Sequence, residues 1–166
     1  MKKNKGFSLV ELIIVIAIMA ILAAAIAPAL IRYIDKSRKA DDIAAAETVN
    51  TAVQTSLSNE DAYDDIMDAM NGQVLASANA EDKFTLNSAA TGVANSGTNF
   101  LAEVNSNLGG KTPKLKYRKK LDESSANWTP KGWAIGCSNG KPLVWITDGT
   151  LTNKVEIQPS ISKYYK

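Results

Sequence analysis

Few side chains in this sequence stand where chemistry is normally done, and the oddest of them is Glu11, a carboxylate at the start of a long apolar run. A carboxylate at mid-membrane costs about 2.5 to 3.5 kcal/mol on insertion scales, and less near the interface. It is tolerable when an opposite charge satisfies it, or when it snorkels to the headgroups from the helix start. Histidine is absent, which removes the commonest general base, zinc ligand and pH switch. Cys137 is the single cysteine, so an intrachain disulfide and a multi-cysteine metal site are both excluded, and without a histidine it reads as a core thiol rather than a nucleophile. The acidic cluster Glu60, Asp61, Asp64, Asp65 and Asp68 spreads around a predicted helix, whereas calcium needs oxygens converging from a loop. The segment Lys111 to Lys120 holds six basic residues with Tyr117 among them. It reads first as the solvated face of a strand, then as a contact for an acidic cluster on another molecule, and last as a phosphate-binding strip. No nucleophile with its base, no phosphate loop and no metal-ligand spacing occurs, so neither an enzyme nor a cofactor is expected.

The elements that position Glu11 begin at the amino end. Lys2, Lys3 and Lys5 precede the apolar run, and from Leu12 to Ile31 there is no charged side chain across twenty residues. About 20 apolar residues at 1.5 Å rise cover the roughly 30 Å hydrocarbon core of a bilayer, and the lysines place the first residues on the cytoplasmic side. A cleaved secretory signal is the competing reading, with Ala25-Ile26-Ala27 as a small-x-small site. Two features favour a retained helix. A disposable signal has no use for Glu11, and the helical pattern continues through Ile31, Ile34, Ile43, Ala46, Val49, Val53 and Leu57. Glycine is absent from Phe7 to Asn71, so Pro28 is the one strong breaker; it lacks an amide donor and is expected to kink the helix. From Arg32 to Ser58 the helix turns amphipathic, with Arg32, Asp35, Lys36, Arg38, Lys39, Asp41, Asp42 and Glu47 read as its solvated face. A helix from Phe7 to about Leu57 is roughly 75 Å long at 1.5 Å per residue, more than one small domain needs.

At 166 residues and a formal charge of +2, the chain holds one domain besides that helix, and net charge selects no partner. The stretch from Ser58 to Gly110 carries turn signals at Asn71-Gly72, Thr91-Gly92, Ser96-Gly97 and Gly109-Gly110. Two short helices are predicted there. One presents Tyr63, Ile66, Met67 and Met70 to the core, the other Phe100, Leu101, Val104 and Leu108. After Gly110 the period falls to two, predicting strands over Leu115–Leu121, Trp133–Ser138, Pro142–Thr147 and around Val155–Ile157, with Asn139-Gly140 as a hairpin turn.

The run Lys5-Gly6-Phe7-Ser8-Leu9-Val10-Glu11-Leu12-Ile13 closely resembles the prepilin signature of bacterial type IV pilins and of the pseudopilins of type II secretion and competence systems. The likeness is strong over roughly residues 2 to 40 and architectural beyond. It implies cleavage between Gly6 and Phe7 by a prepilin peptidase that also N-methylates Phe7, an assembly contact between Glu11 and the freed amino group of Phe7, and a helix loosened at Pro28. It further implies an α+β pilin fold, in which a long N-terminal helix, half transmembrane and half amphipathic, packs on a four-stranded antiparallel meander. The expected segments are a leader (1–6), the membrane and filament-core half of the helix (7–34), its amphipathic half (35–58), a connecting region (59–110) and a sheet with its tail (111–166). Expected partners are further copies of the subunit, the peptidase, an assembly-platform membrane protein with its ATPase, and the cytoplasmic membrane before assembly; nucleic acid is not among them. The function so implied is a subunit of a surface pilus for adhesion, motility or attachment, with two alternatives open: a pseudopilin of a secretion or DNA-uptake apparatus, and a membrane-anchored exported binding protein. Mass spectrometry of the native protein is expected to find an N-methylated Phe7 terminus; a terminus at Pro28 returns the chain to ordinary secreted proteins.

Overall fold

The structure, a computed structural model, describes residues 7–121 and 128–165; Lys2, Lys3, Lys5 and Gly6 lie outside the described residues. The chain divides into two units, Met1–Ser37 and Arg38–Lys166, and helix α1 (Leu9–Ser56) contributes to both. From Leu12 to Ile31 α1 is built from Ile, Leu, Val, Met and Ala with no glycine, and it runs through Pro28 without a break in the helix. Pro28 leaves the Ala24 carbonyl without its usual amide donor.

In the second unit α1 buries Asp42, Ala46, Val49, Ala52, Val53 and Ser56. These positions recur every three or four residues and form one stripe. A short helix α2 (Glu60–Asp64) and a 3-10 turn (Met67–Ala69) follow, then strands β1 (Ala76–Asn79) and β2 (Thr85–Leu86). Helix α3 (Thr98–Asn107) comes next, and β3 (Gly132–Ser138), β4 (Lys141–Thr147) and β5 (Lys154–Gln158) complete the chain. The five strands form one sheet in the order β2-β1-β3-β4-β5, each neighbour antiparallel. Trp133, Ile135 and Cys137 of β3 point into a core shared with Val49 and Val53 of α1 and Phe100 and Val104 of α3. The α+β class with a long N-terminal helix is therefore as expected, as are α3 and the β3–β4 hairpin. Asn139 and Gly140 both have positive φ, at 51° and 74°, as a two-residue turn of this hand requires.

Three details depart from the sequence reading. The sheet has five strands rather than four, because β1 and β2 come from the region expected to be helix and loop. Gly132 makes room for β1, since a side chain there would run into the Ala78 carbonyl. The segment Leu115–Leu121 is not a strand of this sheet. Its burial alternates only from Leu115 to Arg118, with Leu121 inside again, and apart from an isolated bridge between Leu121 and Trp128 its backbone is held by side chains instead of a ladder. Lys116 and Tyr117 donate their amides to Asp42 at 2.7 and 3.0 Å, and the Trp133 indole donates to the Pro113 carbonyl at 2.8 Å. The segment is a strap across the core. Thirdly, the helix predicted from Asn59 breaks after Asp64. Ile66 is buried and Met70 half-buried, but Tyr63 and Met67 stay 38% and 53% exposed.

A fourth departure, and the largest, is Asp42: the sequence pattern places it on the solvated face, and it is fully buried. Its carboxylate takes three donors: the two strap amides and the Tyr165 hydroxyl at 2.7 Å. Lys39 lies one turn earlier. It donates to the Tyr164 carbonyl at 2.8 Å and stands 5.2 and 5.8 Å from the ring centres of Tyr117 and Tyr165. A buried carboxylate is stable only when its lone pairs are met, and losing it strands every donor at about 1 to 3 kcal/mol each. Asp42→Ala is accordingly expected to destabilise the second unit by at least about 3 kcal/mol, and Tyr165→Phe by about 1 kcal/mol. Urea unfolding of the detergent-solubilised chain, followed by tryptophan fluorescence, measures both.

Candidate functional site

The first unit presents a long run of exposed apolar side chains. Phe7 is 84% exposed, and seventeen large apolar side chains from Phe7 to Ile34 stand open. Burying one such side chain is worth about 1.5 to 3 kcal/mol, so this surface needs a bilayer or other helices around it. The helix is long and apolar enough to cross a membrane.

Glu11 begins this helix. Its Oε2 accepts the Ser8 amide at 2.8 Å. Ser8 precedes the first helical residue and Glu11 lies three residues on, the spacing at which an acid reaches back to an otherwise unpaired amide. The carboxylate is thus drawn toward the chain just after Phe7, where the positive end of the helix dipole also favours it. The Ser8-x-x-Glu11 signature orients the carboxylate before cleavage makes any opposite charge, a signal absent from the sequence expectations above. Phe7, Glu11 and Pro28 are all described, Gly6 is not, and Phe7 and Glu11 lie within one turn.

The second unit offers little reactive chemistry. Cys137 is buried on β3, and that burial pushes its thiol up to about 12. Tyr165 is raised well above the usual phenol range, first by burial and then by its hydrogen bond to Asp42 and that carboxylate's charge. Asp148 moves the other way. Partial burial pushes its carboxyl up, but donors from Asn153 and Thr150 outweigh this and hold it below the usual range, closing the loop between β4 and β5. Among the described residues no group of three or more histidines, cysteines, aspartates or glutamates is arranged to hold a metal ion. The acidic cluster is split: Asp65 turns inward and its Oδ2 accepts the Asn99 and Phe100 amides at 2.7 and 3.2 Å, while its neighbours stay at the surface. Asp65 thereby caps α3, whose own preceding residue, Gly97, has no side chain to do so. Asp42 and Asp65 were both missed as structural residues. Asp42 had a signal, because it continues the Ala46-Val49-Val53 stripe one turn earlier.

A family model for the prokaryotic N-terminal methylation motif matches residues 1–27. No solved structure matches the chain. The chain therefore carries the prepilin signal of type IV pilins and pseudopilins, followed by a long apolar helix.

The buried thiol generates a prediction. A free cysteine ionises near pH 9.0, so at pH 8 the native thiolate is scarcer by on the order of a thousandfold. Iodoacetamide is expected to leave Cys137 unmodified in the native chain and to label it on unfolding. Because the folded thiol holds its proton from the ordinary value of 9.0 up to about 12, its contribution to stability is intact below pH 9 and is lost as pH rises through that window.

Proposed function

We propose that this chain is a subunit of a type IV pilus, cut between Gly6 and Phe7 and N-methylated at Phe7 by a prepilin peptidase. Before assembly, the apolar half of α1 holds it in the cytoplasmic membrane with the amino end inside. The same surface then packs against other copies in the core of an extracellular filament used for adhesion, motility or attachment, driven by an assembly platform and its ATPase. The observation that carries this reading is the carboxylate at the head of the exposed apolar half of α1, inside the matched motif. Cutting after Gly6 creates an ammonium on Phe7, next to the Ser8 amide that Glu11 already accepts. In lipid, a carboxylate and an ammonium stabilise each other, and a lone carboxylate does not. An incoming subunit whose amino group reaches the Glu11 of a neighbour would gain that stabilisation only in one register. Pro28 would let the helix bend or loosen as it leaves the bilayer, since its region already lacks one backbone hydrogen bond.

Glu11→Val is expected to leave membrane insertion and cleavage intact and to abolish sheared filaments, as scored by immunoblot and electron microscopy. Normal filament yield from this variant would sink the proposal.

A further inference from the structure

Charge is segregated along the second unit. From Ala40 to Asp82 there is no lysine or arginine, whereas Lys111 to Lys120 has six and no acid. Ion pairs that tie the strap to its own molecule among the described residues include Lys114 to Glu81 at 3.6 Å and Lys116 to Asp41 at 3.1 Å. Neither involves Glu60, Asp61, Asp64 or Asp68, all of which are exposed. Among those carboxylates stand Tyr63 and Met67, the large apolar side chains that the second unit leaves exposed among its described residues. Two exposed apolar side chains set among exposed carboxylates in sequence supply both the apolar and the charged parts of a contact surface. The strap supplies the complement. Lys116, Arg118 and Lys120 are all exposed, as is Lys119 between the last two, while Leu115 and Tyr117 are buried.

The two surfaces lie at different levels of α1. The strap is pinned at Asp42, whereas α2 follows the end of the helix at Ser56, where Asn107 of α3 also bonds. At 1.5 Å per residue the helix rises about 21 Å between Asp42 and Ser56. Unlike patches displaced along an axis make a heterologous contact, which repeats from copy to copy without closing on itself.

We infer that the Tyr63–Met67 patch, with Asp61 and Asp64 at its rim, docks on the Lys116–Arg118–Lys120 ridge of a second copy of this chain. The inference rests on the filament reading and names a contact between heads within it. Exposed ion pairs are individually weak, so the charges set which faces meet and the apolar pair supplies the grip.

The test uses the full-length chain in cells carrying its assembly machinery, with charge reversals Asp61→Lys/Asp64→Lys, Arg118→Glu/Lys120→Glu, and the four combined. Each reversal places like charges together and is expected to cut sheared-filament yield about tenfold, with the combination restoring it to within about twofold of wild type. Unchanged yield from either reversal, or no recovery in the combination, overturns the contact. The pair Asp64→Cys/Lys120→Cys adds a readout independent of yield, since Cys137 is buried: mild oxidation is expected to give a ladder of cross-linked copies, and monomer alone overturns the contact. Should Glu11→Val block filaments while the reversals do not, the contact falls and the filament reading stands. Should wild type make no filament, that reading falls and the cross-link in membranes decides the contact. Loss of duplex DNA retention by Arg118→Glu/Lys120→Glu at unchanged filament yield assigns the ridge to nucleic acid and overturns the inference.

Discussion

Asp42 is the point at which the helix, the strap and the last turn of the chain are fastened together. Its carboxylate sits one turn before the apolar stripe of α1 and meets three donors that no strand or helix ladder would otherwise pair. Without it the strap would have to find a sheet edge for its amides, and the β3 edge is already taken by β1. Lys39 completes the arrangement by holding the Tyr164 carbonyl and covering two tyrosine rings with its ammonium. A buried charge is seldom the cheapest way to fill a core. Here it lets three segments distant in sequence share one anchor.

The same helix serves a second environment with opposite demands. From Leu9 to Ile31 its side chains are almost all apolar and all exposed, whereas in the second unit only one stripe is buried. The change occurs within one element, and side-chain chemistry alone marks it. Glu11 is the exception in the apolar part, and the Ser8 amide shows how a carboxylate is kept oriented before any partner arrives. The match to the N-terminal methylation motif covers this stretch and stops at residue 27, so the head rests on its own physics.

Much of this was legible in the sequence where periodicity was strong. The long helix, α3 and the β3–β4 hairpin follow from apolar spacing and from Asn139-Gly140. β1 was not legible, because Ala-Ser-Ala-Asn has neither the branched nor the aromatic side chains that mark strands. The strap misled for the converse reason: its alternation is real, but alternation reports burial and not what the amides bond to. Phe7, Glu11 and Pro28 stood out because each breaks the local pattern. Asp42 and Asp65 did not, since an acidic residue on an amphipathic helix is read as solvated until its partners, dozens of residues away, are in view.

Cys137 is the chain's single cysteine, so no covalent bond closes the head, and Tyr165 is joined to Asp42 across 123 residues by a hydrogen bond alone. A disulfide over such a loop would restrict the unfolded chain; this closure does not. In exchange, the head is indifferent to thiol–disulfide exchange and has no wrong pairing to fall into. Reductants leave it shut, competitors for hydrogen bonds open it, and it can be opened and reformed without an oxidant.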